Sequence, residues 1–123
     1  MSMLRLGHVK FLYGCRGLSL DYVAREPLWS RGLNYDHGTG HGVGYLLNVH
    51  ERPNGIRFKM VPERMDNAVL EAGMICSDEP GIYIEGSHGI RTENMIVCKN
   101  AEKNQYGQYL KDVLDGKYQE NLY

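Results

Sequence analysis

The spacing of apolar residues changes part-way along the chain. Leu20, Val23, Ala24 and Leu28 recur at i, i+3, i+4 and i+8, the stripe of an amphipathic helix. Ser19 stands at the expected N-cap, Pro27 predicts a kink or restart, and Gly32 predicts the end. Tyr22, Leu28 and Trp29 are expected to pack this helix on the core. Upstream, residues 4–12 (LRLGHVKFL) read as the end of a helix interrupted by Gly7, and YGCRG (13–17) reads as a turn. Beyond Gly38 the helical period is lost until about residue 63. YLLNVHE (45–51) and GIRFKMV (55–61) read as strands around an RPN turn, and residues 63–72 as polar sequence with one short helical turn. GMICSDEP, GIYIEG and GIRTENMIVCKN are strand-like and punctuated by Gly or Pro, and 109–115 reads as a short helix. Helix first and antiparallel meander afterwards predicts the α+β class.

Composition narrows this picture. The chain has 123 residues, enough for one small domain with a modest core. A net charge of −1, with both signs dispersed, gives no basic stripe for nucleic acid and no acidic tail. No apolar run approaches the ~20 residues of a membrane span, and nothing resembles a secretory leader, so a soluble cytoplasmic chain is expected. Three cysteines without a CxxC argue against a disulfide framework or thiolate zinc, and they are expected to be reduced and mostly buried. No glycine run has the strand-to-helix context of a nucleotide loop. ENLY (120–123) matches the start of a commonly engineered protease site and reads as a tag remnant, leaving 1–119 as the domain.

The candidate chemistry begins with DHGTGHGVGYLLNVHE (36–51). His37, His41 and His50, three of the five histidines, fall inside it among four glycines. Glycines let a backbone come close to a ligand while the imidazoles project inward. Glu79 (SDEPG) and Glu93 (GIRTEN) stand fourteen residues apart across a segment that folds back as a hairpin, so period-two alternation can bring both to one face. Two carboxylates converging in apolar strand contexts are best compensated by a metal. One imidazole with two carboxylates suits Mn²⁺, with Zn²⁺ or Co²⁺ as alternatives. His8 and His88 read as structural, His88 lying near the mouth of the site. Glu51 reads as a surface residue, and the nine tyrosines as dispersed filling.

HGTGHGVGYLLNVHE followed by EAGMICSDEPGIYIEGSHGIRTENMIV resembles the metal-dependent X-Pro aminopeptidases (aminopeptidase P) of the pita-bread metallopeptidase superfamily. LDYVAREPLWSRGLNYDHG is similar to the helical segment these enzymes carry just upstream, and the resemblance covers about residues 15–109. It implies a partial pita-bread fold and hydrolysis of the N-terminal bond of peptides with proline second. It implies that His41, Glu79 and Glu93 are metal ligands, Glu93 bridging two divalent ions and Glu79 also accepting the proton of the attacking water. His37 and His50 match substrate-binding histidines, and Arg91 matches an arginine supporting substrate and carboxylates.

One part of the family pattern has no counterpart. The two further aspartate ligands come from a hairpin of the form DSGxxYxxGTTDxTR. None of Asp21, Asp36, Asp66, Asp78, Asp112 and Asp115 has an aspartate eleven positions on in such a context. The chain is therefore expected to be the C-terminal part of a catalytic domain. Alone it should hold metal weakly and at most singly, show little or no activity, and self-associate through exposed strand edges. An inactive module of the same fold and an X-Pro dipeptidase are the competing readings, and the His41–His50 spacing with NVHE favours the aminopeptidase.

Overall fold

The computed structural model describes residues 1–103, 105 and 109–113. Among the described residues two helices, α1 (Ser2–Gly7) and α2 (Gly17–Trp29), accompany eight strands: β1 (Lys10–Leu12), β2 (Gly40–Gly42), β3 (Glu51–Ile56), β4 (Ile75–Asp78), β5 (Gly81–Ile84), β6 (His88–Arg91), β7 (Asn94–Lys103) and β8 (Tyr109–Val113). Six strands form one sheet in the order β1-β8-β7-β4-β2-β3, and β5-β6 form a separate two-stranded ribbon. Every pairing is antiparallel. The class is α+β as expected, but it is no simple meander, because the ribbon is inserted between two strands that pair with each other.

The core lies between the helices and the sheet. Leu6 of α1, Leu20 and Ala24 of α2, Ile56 of β3, Cys76 of β4 and Ile96 of β7 form one buried cluster. Cys76 and Cys98 are buried as expected, and Cys15 is half-buried. The apolar stripe of α2 does face this core, with Leu28 buried as well, but Tyr22 does not and is 57% exposed. Trp29 lies at the rim between Tyr22 and Phe58 (ring centroids 5.8 and 5.2 Å). The expected cap at Ser19 is also displaced. The N-cap is Arg16, without a side-chain bond, and Ser19 donates its backbone N–H to the Arg16 carbonyl inside the first turn. Pro27 sits within the helix, which continues to Trp29. Gly32, at φ +69, then closes it with a Schellman pair, Leu33 N–H to Leu28 O and Gly32 N–H to Trp29 O.

Five expected elements differ. Lys10–Leu12 form an edge strand on β8 rather than the end of a helix. Tyr109–Val113 form β8 itself rather than a helix, because that segment completes the ladder between β1 and β7, and residues 114–115 of the same expectation lie outside the described ones. YLLNVHE is a loop up to its last residue. Leu46 and Leu47 have φ of +44 and +63, and the Gly44 N–H bonds to the Asn48 carbonyl, so no strand can run through. β3 instead passes through the RPN expected as a turn. His41 pairs with Gly55 and Gly42 with Glu51, and Arg52, Pro53 and Asn54 are taken up in a bulge. After Ile56 the second expected strand does not continue, and a single 3₁₀ turn, Pro62–Arg64, supplies the short helical turn.

β4 divides the molecule by simple alternation. Ser77 and the following Glu79 face one side, and Cys76 and Asp78 face the core. Asp78 is 1% exposed, and neither carboxylate oxygen has a hydrogen-bond partner. Burial, with the neighbouring Glu79 charge, pushes its pKa up to about 8. The unfolded chain releases this proton near the ordinary carboxylate pKa, whereas the fold retains it to about 8. The folded state therefore binds more protons between those values, and stability falls as pH rises through that window. Chemical denaturation at a series of pH values is expected to show this decline, at up to about 1.4 kcal/mol per pH unit. In Asp78→Asn the slope should be lost.

Candidate active site

The His41–Glu79 pair is assembled by backbone pairing. β2 is only three residues long and lies between β3 and β4, with Gly42 opposite Cys76. Gly40 permits the approach, since a Cβ there would lie 1.9 Å from the Ser77 carbonyl oxygen. The Glu79 N–H donates to the Thr39 carbonyl (2.7 Å), carrying the contact one residue past β4. His41 Nε2 and Glu79 Oε1 end 3.0 Å apart, both side chains largely buried.

Both members are braced from behind. His41 Nδ1 lies 3.0 Å from the Gly42 carbonyl, and Nε2 faces the Glu79 carboxylate. The Ser77 hydroxyl donates to Glu79 Oε1 (2.8 Å) and accepts the His41 backbone N–H (3.0 Å). An imidazole with one nitrogen tied to a carbonyl and a carboxylate held by a hydroxyl is the outer-shell pattern of metal ligands.

The other expected residues surround this pair. His50 is exposed, its ring 4.1 Å from that of His41. His37 is half-buried, its Nε2 2.7 Å from the Tyr83 hydroxyl. Arg91 lies 3.7 Å from Glu79 Oε2 and 3.5 Å from Glu93 Oε2. Its proton is held more tightly than usual by Tyr83, Glu93 and Glu79. His37, His41, His50, Glu79 and Arg91 line one cleft of about 590 Å³, with Asp36, Arg57 and Arg64 also on its wall. Glu93 is not gathered into the pair. It is half-exposed and connects to Glu79 through Arg91. The donors thus fit a divalent cation in part, through His41 and Glu79. Among the described residues no three His, Cys, Asp or Glu side chains meet as a cage. His8 and His88 are exposed and bond locally, to the Leu4 carbonyl and the Ser87 hydroxyl.

A buried network holding the His37 loop was not anticipated from sequence. Arg25 of α2 pairs with Asp21 (2.5 Å) and donates to the backbone carbonyls of Tyr35 (2.7 Å) and His37 (2.9 Å). Its guanidinium lies 4.0 Å from the Tyr35 ring centroid. Thr39 donates to Asp21 (2.5 Å) and bonds the Tyr35 hydroxyl (2.6 Å). Burial is the main reason the Tyr35 pKa is pushed up to about 12. The sequence signal was an i,i+4 acid–base pair on the same face as Leu20, Ala24 and Leu28, where solvent cannot satisfy it. Ser77 and Tyr83 gave no such signal, since each reads as an ordinary strand residue.

A braced imidazole and a braced carboxylate thus meet in an open polar cleft. The chain belongs to metallopeptidase family M24 (Peptidase_M24), whose profile matches residues 6–100. It is 50% identical over 101 residues to a probable Xaa-Pro aminopeptidase P of Phaeosphaeria nodorum, covering 82% of this chain and 15% of that protein. It is 48% identical over 97 residues to Aminopeptidase P1 of Arabidopsis thaliana, covering 79% and 15%. Among solved structures it resembles an X-prolyl aminopeptidase of Caenorhabditis elegans, described as a cytosolic enzyme with a di-nuclear active site. That match has a TM-score of 0.77 and 36% identity, over 91% of this chain and 17% of the other. An Xaa-Pro dipeptidase of Bacillus anthracis gives 0.64 and 32%, over 91% and 27%. The fold is thus part of the pita-bread fold, and the chain spans about 15% of the length of the curated relatives named here.

Removing Arg25 isolates the buried Asp21 charge and frees two loop carbonyls. Arg25→Met is expected to cost about 3–5 kcal/mol in denaturant unfolding. The His37 resonances should broaden as the loop loosens, an effect that Arg31→Met at the exposed helix end should not produce.

Proposed function

We propose that this chain supplies the His41–Glu79 side of an M24 active site that hydrolyses the N-terminal bond of peptides with proline second. The observation carrying this reading is the 3.0 Å approach of His41 Nε2 to Glu79 Oε1, each braced by its own hydrogen bond. Names of relatives and structural neighbours support the substrate class. The cytosolic description of the Caenorhabditis elegans enzyme supports a cytoplasmic location, and no helix among the described residues is long and apolar enough to cross a membrane.

His41 and Glu79 would hold a divalent cation, Mn²⁺ before Zn²⁺ or Co²⁺, and Glu93, tethered through Arg91, is the third donor. The di-nuclear description of the neighbour supports a second ion, which Glu93 would help to hold. A bound cation supplies Lewis acidity and a water of lowered pKa. Glu79 would be the proton acceptor for the attacking water. His37 and His50 reach the peptide from the cleft walls, and a donor placed at a developing oxyanion is typically worth about 2.7–4 kcal/mol. Arg91 orients the two carboxylates. Proline in second position removes an N–H and fixes φ, so the bond is recognised through its carbonyl and the free N-terminus.

These 123 residues contain no aspartate pair of the DSGxxYxxGTTDxTR form. The chain by itself therefore binds one ion weakly and does not turn over. Exposed Tyr45, Leu46, Leu47 and Val49 beside the edge strand β3 support self-association in solution.

Calorimetric titration with Mn²⁺ or Zn²⁺ is expected to show weak binding at no more than one equivalent, lost in both His41→Ala and Glu79→Gln. Binding unaffected by either substitution would overturn the site. Hydrolysis of an Xaa-Pro tripeptide should be absent for the chain alone and appear when a polypeptide carrying the aspartate hairpin is added. Turnover by the chain alone that survives repeated purification would overturn the half-site reading. Light scattering that gives only monomer at high concentration would remove the self-association proposal.

A further inference from the structure

One residue in contact with His37 of the cleft has no role in that reading. Tyr83 lies within β5, and its ring rests across the β5–β6 ribbon. A Cβ on Gly81 would come within 2.6 Å of its hydroxyl oxygen, and one on Gly89 within 2.9 Å of its Cδ1. Both ribbon positions beneath the ring are therefore residues without side chains, and the phenol can lie over the backbone and reach toward the cleft. There it meets His37 edge to face at 5.4 Å, hydroxyl to Nε2 2.7 Å. The other side of the imidazole packs on the buried Tyr35 ring, centroids 4.9 Å apart.

The proton positions in this arrangement follow from the groups at its ends. His37 Nδ1 lies 2.8 Å from the Gly38 carbonyl oxygen. A carbonyl only accepts, so Nδ1 carries the hydrogen, and in the neutral ring Nε2 must then accept. The Tyr83 hydroxyl is the donor facing it. Donation thus runs from Tyr83 to His37 to the Gly38 carbonyl.

We propose that Tyr83 is a positioning residue for His37: its hydroxyl pins the imidazole in the Nδ1–H tautomer between two aromatic rings. The His37 ring is then set before a peptide arrives, and a peptide group that bonds Nε2 must displace the phenol. What this means for peptides rests on the aminopeptidase reading, whereas the tautomer and its dependence on Tyr83 do not.

Long-range ¹H–¹⁵N spectra of the histidine rings, recorded on the full chain and on Tyr83→Phe, test the proposal. Wild-type His37 is expected as the Nδ1–H tautomer. Tyr83→Phe keeps the ring over the ribbon and removes only the donor. His37 should then move toward a mixture of tautomers, with Nε2 shifting away from the acceptor position. His41, whose Nδ1 bonds to Gly42 independently of Tyr83, should be unchanged and reports that the fold is intact. An Nε2–H tautomer of His37 in the wild type overturns the proposal, and that result needs no variant. Unchanged His37 signals in a folded Tyr83→Phe also overturn it. Titration with an Xaa-Pro peptide separates the two levels. If the peptide leaves His37 unperturbed, the aminopeptidase reading loses support while the tautomer result stands.

Discussion

On a β-strand, neighbouring side chains point to opposite faces, and β4 stands where this rule has the largest consequence. Ser77 and Glu79 face the cleft because Cys76 and Asp78 face the helices. The carboxylate that meets His41 therefore follows one that enters the core with no partner for either oxygen. A one-residue slip of β4 against β2 or β7 would exchange the two, sending Glu79 inward and Asp78 into the cleft. The register of Gly42 with Cys76, and of Ser77 with Met95, is in this sense the primary constraint on the site.

The same register explains the glycines of β2. Gly40 passes so close to the Ser77 carbonyl that no side chain fits. His41, the one residue of that strand with a side chain, is aimed at Glu79. A serine hydroxyl ties the His41 backbone to the Glu79 carboxylate, so strand register and ligand geometry are one contact. Donor placement is thereby set by backbone pairing, which is stiffer than any loop, and the histidines on either side have looser settings. His50 sits at the end of a loop with exposed apolar residues, and His37 depends on α2 through Arg25.

Dependence on α2 links stability to the cleft. The Asp21–Arg25 pair is buried and would be costly if either charge stood alone. Here three of the guanidinium's remaining N–H groups are used on Tyr35, Asn34 and His37. The helix thus reaches through the core to hold the loop that presents His37, and Tyr35, clamped by Arg25 and Thr39, forms the inner wall of the imidazole pocket.

Local sequence determined the elements whose period is unambiguous. The α2 stripe, β4, and the fold-back of GIYIEG and GIRTEN were legible because each shows its burial pattern within a few residues. The residue types of the site were legible too, since imidazoles among glycines and carboxylates in apolar strands have few other uses. What the linear pattern could not contain was set by distant partners. YLLNVHE has strand composition, yet its leucines take left-handed backbone angles because β2 and β3 require a wide loop at that point. RPN has turn composition, yet it is absorbed as a bulge because β3 is held in register on both sides of it. KFL became a strand by pairing with YLKDV, and YLKDV by pairing with both KFL and β7. Glu93 stands behind Arg91, and Tyr83 reaches His37 across forty-six residues, because hydrogen-bond polarity and strand register act through space. Side-chain chemistry belongs to single residues and survives in the sequence, whereas orientation belongs to pairs of residues far apart in the chain, and only the tertiary structure fixes it.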